Sequence, residues 1–102
     1  MERIEKLKEF LRQNAHDDFI QHALALEYIK AGDDNEAEKL FLEILKRNPA
    51  YIGSYYHLAK LYERNGKEED AIKIYKSGME VSKEQDKHTY NELRAAYEEL
   101  TL

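Results

Sequence analysis

Laid against itself at an offset of 34 residues, the chain matches its own text. Leu24, Ala25 and Tyr28 fall on Leu58, Ala59 and Tyr62, Gly32 on Gly66, Ala37 on Ala71, Leu40 on Ile74 and Phe41 on Tyr75. Upstream, Leu7 falls on Phe41, Phe10 on Ile44, Leu11 on Leu45 and Asn14 on Asn48. A shared helical period would align apolar residues with apolar ones, but it would not also reproduce glycines, alanines and an asparagine. The match is a structural repeat, and units of this length stack because none buries its apolar face alone.

Each unit reads as a helical hairpin. Apolar positions 20, 24, 28 and 31 keep helical spacing, and so do 37, 40, 41, 44 and 45. Between the two runs, Gly32 suits the left-handed residue just past a helix end. Asp33 with Glu36 three residues on has the form of a capping box. The second unit repeats the plan, with Gly66 closing one helix and an acidic run opening the next. Pro49, the only proline, stands where one unit stops and the next begins, and its place in the preceding copy is held by Ala15. Helices are predicted near 2–14, 18–31, 34–47, 51–65, 68–83 and 86–100.

A chain of 102 residues is the size of one domain, and 36% charged with 42% hydrophobic residues suits a helical protein with a solvated exterior. The net charge of −5 argues against a general nucleic-acid binder. The absence of cysteine excludes disulfides, thiolate metal sites and thiol nucleophiles. The charged start MERIEKLKEF lacks the apolar run of a signal peptide, and no stretch approaches membrane-spanning length. The expected location is cytoplasmic, with no membrane partner.

The units resemble tetratricopeptide repeats, whose pattern of aromatic, Leu, small, Tyr, then Ala, Phe, small and Pro has the same length. The first matches at Leu24, Ala25, Tyr28, Ala37, Phe41 and Pro49, and departs at Gln21, where an aromatic is usual, and at Ile44, where a small residue is usual. The second matches at Tyr55, Leu58, Ala59, Tyr62, Ala71, Tyr75 and Gly78, and departs at Lys83, in the proline place. Residues 1–17 resemble only the second helix of a unit, and 86–102 only the first, with Tyr90, Leu93 and Tyr97 matching Tyr55, Leu58 and Tyr62 after one inserted residue. The expected organisation is a capping half-repeat (1–17), repeats at 18–51 and 52–85, and a capping helix (86–102). Arg94, at the place of Ala25 and Ala59, is tolerable only where no further helix packs. The ends therefore read as caps of a complete small domain. The resemblance implies an all-α fold, a short right-handed superhelix of about six antiparallel helices.

No nucleophile elbow, phosphate loop, metalloprotease motif or dinucleotide fingerprint is present, so catalysis is not expected. No cofactor is expected either. The acidic run DDNEAE lacks the ligand spacing of a calcium loop. His22, His57 and His88 lie near the starts of the three first-type helices, and a shared metal or pH-responsive role is the alternative to three unrelated polar residues. Helices about 10 Å apart are too far for a common ion, which favours the unrelated reading. Six of the eight tyrosines (28, 55, 62, 75, 90 and 97) take repeat-signature places and are expected in the core, leaving Tyr51 and Tyr56.

The resemblance implies a non-catalytic module that holds a partner's peptide or helix in a groove lined by the first helix of each unit. Carried onto this chain, the groove places are Phe19, His22, Leu26, Ile29 and Lys30, then Gly53, Tyr56, Lys60, Glu63 and Arg64, then His88, Asn91, Ala95, Glu98 and Glu99. Phe19, Leu26 and Ile29 form either an apolar patch or a surface covered by the first helix, and the patch is the expectation. Lys30, Lys60 and Arg64 suggest a partner with an apolar anchor and nearby acidic residues; ordinary ion pairs to Glu27 and Glu63 are the alternative. The carboxylate clamp of chaperone-tail receptors is not matched, since its places carry His22, Leu26 and His57. Self-assembly into a homo-oligomer, with Leu100 and Leu102 extending the contact, is a further alternative.

Overall fold

A computed structural model of the chain describes residues 2–102 and contains six helices among them. They are α1 (Glu2–Gln13), α2 (Asp18–Lys30), α3 (Asp34–Arg47), α4 (Gly53–Arg64), α5 (Glu68–Ser82) and α6 (Lys87–Thr101). Each begins and ends within two residues of the expected bounds. The chain divides into two compact units, the first ending at Asn48 and the second starting at Pro49.

In unit one, α2 packs against both α3 and α1. The α3 residues that turn inward are Ala37, Phe41 and Ile44, a spacing that keeps them on one helical face. Ala25 on α2 is fully buried, and a larger residue there would overpack a core already at crystal-like density. Ile4, Leu7 and Leu24 form the cluster that joins α1 to α2, with Leu11, Ile20, Ala23, Tyr28 and Leu40 around it. Phe10, which falls on the fully buried Ile44 at the repeat offset, is 56% exposed and stays outside it. The face of α1 that meets α2 is filled by Ile4, Leu7 and Leu11.

In unit two, α5 lies against α4 and α6. Its buried residues are Ala71, Tyr75, Gly78 and Ser82, the first three being the α3 places shifted by one repeat. Gly78 marks the tightest approach: a Cβ there would stand 2.7 Å from Tyr55 Cβ and 2.9 Å from Leu93 Cδ1. Unit one carries Gln21 and Ile44 at the places of Tyr55 and Gly78. A large–small pair in one unit is thus replaced by a more even pair in the other.

The same helix ending is built twice. After α2, the N–H of Gly32 bonds Ile29 O at 3.0 Å and the N–H of Asp33 bonds Tyr28 O at 2.9 Å. After α4, the N–H groups of Gly66 and Lys67 repeat this to Glu63 O and Tyr62 O at 3.1 and 2.8 Å. This Schellman pattern requires a positive φ, found at Gly32 (81°) and Gly66 (75°). Asp33 then caps α3 by accepting from Glu36 N at 3.2 Å. The expected reciprocal half of the capping box does not form. The Asp33 N–H is already used by Tyr28 O, and the Glu36 carboxylate takes Lys39 at 2.9 Å instead.

Tyr55, Tyr62 and Tyr75 are buried as expected. Tyr28, Tyr90 and Tyr97, also expected in the core, are only half-buried. Arg94 is half-exposed and lies 4.0 Å from Glu98.

Candidate binding surfaces

On α2, the cluster formed with α1 uses Ile20, Ala23, Leu24 and Tyr28, and Phe19 lies outside it. Phe19 remains 72% exposed, while Leu26 and Ile29 are half-buried. His22 sits edge-on to Phe41, ring centroids 5.6 Å apart. Lys30 is exposed and lies 3.5 Å from Glu27, whose carboxylate also receives Arg3 at 3.2 Å. The cation is thus shared within an ion-pair cluster, the alternative weighed above.

On α4, Tyr56 is half-buried, with Lys60 Nζ 5.6 Å from its ring centroid, a cation–π distance. Lys60 also lies 3.5 Å from Glu63, and the Glu63 carboxylate accepts the Tyr75 hydroxyl. Burial, and then that bond to a carboxylate, push the Tyr75 hydroxyl well above the usual phenol range. His57 is half-buried with the Tyr56 ring 5.6 Å away. Burial lowers its pKa below 6.5, and the charge of Glu92 on α6 opposes this in part. His88 and Asn91 on α6 are exposed, His88 with Nε2 4.0 Å from Glu92. Arg64 ends α4, exposed.

The three histidines therefore occupy three environments: one against a phenylalanine, one desolvated beside a tyrosine, one at the surface. Among the described residues no group of three or more His, Cys, Asp or Glu is arranged to hold a metal ion. No helix among them is long and apolar enough to cross a membrane.

A polar corner in unit one was not legible beforehand. Asp18, at the start of α2, receives Arg47 on one carboxylate oxygen and Asn48 on the other, the latter at 2.9 Å. These bonds, led by that from Asn48, hold the Asp18 carboxyl below its ordinary range. Arg47 also donates to Gln21 Oε1 at 2.5 Å and lies 3.4 Å from His16 Nδ1. Gln21 is buried and extends its amide nitrogen to Ala15 O and Glu43 Oε2, both at 3.4 Å. Beside this network is a hollow of about 500 Å³ lined by Ala15, His16, Gln21, Glu43, Lys46 and Arg47. The only hint in the sequence is Gln21, a polar residue at an aromatic place.

Comparison with known proteins follows the same repeat. Two family models of the tetratricopeptide repeat match, one over residues 20–51 and one over 40–73. Curated proteins give no match. A tetratricopeptide repeat domain protein from Salinibacter ruber, solved in solution, is 40% identical, with 82% of this chain and 86% of that one covered and a TM-score of 0.80. A crystal structure of a tetratricopeptide repeat domain protein from the same organism gives 40% identity, 83% and 96% coverage, and 0.79. A protein from Bordetella parapertussis has the same fold at 20% identity, with 96% and 86% coverage and a TM-score of 0.82. With the period, the doubled glycine caps and the buried alanines all in place, these likenesses show that the chain belongs to the tetratricopeptide repeat family.

Proposed function

We propose that this chain is a non-catalytic scaffold or adaptor that binds a partner's peptide or helix on the first-type helices of its repeats. Tetratricopeptide repeats generally mediate protein–protein interaction, and the fold is typically a non-catalytic scaffold. The observation that carries the reading is Phe19, a large aromatic left 72% exposed on such a helix while its neighbours Ile20 and Leu24 pack against α1. With Leu26 two turns along the same face, Phe19 offers an apolar patch that a partner's side chain can cover. Within unit two, Tyr56, Lys60 and Arg64 on α4 supply an aromatic surface with cations for acidic residues of the partner. Leu26, Ile29 and His22 complete the α2 surface, and His57, His88 and Asn91 border the α4 and α6 surfaces.

The test is quantitative capture from the source cell's lysate. The native chain is compared with Phe19→Ser and with a Lys60→Glu, Arg64→Glu variant, each matched for helicity. A partner held by the native chain and lost from either variant supports the reading and identifies which unit binds it. Partners held equally by all three would remove these faces from consideration.

A further inference from the structure

We propose that the hollow at the polar corner of unit one receives the tyrosine side chain of a partner protein. The two repeats differ at this corner as a set. Unit two has Ile52, Tyr55, Val81 and Ser82 where unit one has Asp18, Gln21, Arg47 and Asn48, each pair one repeat length apart. Tyr55 is buried and its hydroxyl donates to Pro49 O at 2.7 Å. The same carbonyl in unit one belongs to Ala15, and Gln21 reaches it only at 3.4 Å. In place of the aromatic ring that unit two supplies from its own chain stands Gln21, with Ile44 at the place of Gly78, and beside Gln21 is the hollow of about 500 Å³. That volume lies within the range of about 300–1,000 Å³ common to small-ligand sites.

The lining fits a phenol. The two N–H groups of the Gln21 amide reach Ala15 O and Glu43 Oε2, both at 3.4 Å, the long limit of a hydrogen bond. Both acceptors therefore have capacity for a shorter donor. The molecule already uses both kinds of bond elsewhere: Tyr55 hydroxyl to a carbonyl, and Tyr75 hydroxyl to the Glu63 carboxylate. Lys46 and Arg47 in the lining bring cations to the electron-rich face of a ring. Arg47 is held in place by Asp18 and Gln21. A free anion fits less well, because Glu43 faces the hollow and Asp18 already neutralises Arg47.

The experiment is an amide-resolved NMR titration of the whole chain with N-acetyl-tyrosinamide, with N-acetyl-phenylalaninamide, and with a blocked pentapeptide carrying a central tyrosine. Shifts should concentrate at Ala15, His16, Gln21 and Glu43 to Arg47, with a Kd of about 1–10 mM for the single residue. The phenylalanine probe, lacking the hydroxyl, should bind about fivefold more weakly. The pentapeptide should bind at least as tightly as the single residue. Gln21→Tyr, which returns the ring to the chain, should abolish the shifts. Should Ile44 crowd that variant out of its fold, Lys46→Glu, an exposed change, should still weaken binding about threefold. No shifts at this corner, equal affinity for the phenylalanine probe, or undiminished binding by a folded Gln21→Tyr or by Lys46→Glu would overturn the proposal. Exclusion of the pentapeptide would overturn the assignment to a partner protein.

Discussion

A Cβ on Gly78 would lie 2.7 Å from Tyr55 Cβ and 2.9 Å from Leu93 Cδ1, both in fully packed surroundings. Glycine to alanine inside a helix ordinarily adds about 0.5–1 kcal/mol of stability. Here overpacking opposes that gain at about 1–3 kcal/mol and should win. Gly78→Ala is expected to lower the urea midpoint, and an unchanged or higher midpoint would refute the close approach. The hydroxyl of Tyr75 offers a second check. Tyr75→Phe leaves the partly buried Glu63 carboxylate with Lys60 at 3.5 Å and no phenol donor. A loss of about 1–2 kcal/mol is expected in chemical denaturation. The double mutant Tyr75→Phe, Glu63→Gln should lose less than the sum of the single changes.

Helix ends are where this fold is most exposed to single substitutions. Gly32 and Gly66 hold positive φ with open space around them, so an alanine there meets backbone strain and no clash. Each of Gly32→Ala and Gly66→Ala should cost about 1 kcal/mol, measured by thermal or urea unfolding. These glycines were also what made the helices readable in the sequence. A residue that only one conformation explains, recurring at a fixed interval, marks a boundary more firmly than an apolar stripe does. Phe10, matched to Ile44 by the repeat, is exposed all the same, because spacing says which residues correspond but not how wide the contact is. The corner around Arg47 was illegible for another reason: Asp18 and Arg47 are 29 residues apart, and nothing local pairs them. The ion pairs of Lys30 and Lys60 lie within one helix turn and were foreseen as an alternative, since such spacing can be read directly.

Over the whole chain, two groups with lowered pKa link folding to acid, one in each unit. The His57 pKa is lowered on folding, so the unfolded chain binds its proton more readily. Stability from this group is complete above pH 6.5 and falls as pH drops from 6.5 toward the folded value. Asp18 is also lowered, from 3.8, so its contribution to unit one persists above pH 3.8 and is lost as pH falls below it toward the folded value. Hydrogen exchange across a pH series, corrected for intrinsic rates, should show α4 losing protection as the pH falls below 6.5. His57→Gln should remove that loss, and an undiminished loss in the variant would contradict the assignment.

The bonds from Tyr55 to Pro49 O and from Gln21 to Ala15 O each join a side chain to the backbone six residues upstream. What corresponds between the copies at 15 and 49 is an oxygen atom, while the residues that bear it, alanine and proline, have little in common. A fastening whose two ends lie within seven consecutive residues travels intact whenever that stretch is duplicated. Its donor can therefore drift from phenol to amide while the carbonyl it reaches keeps its place in the repeat.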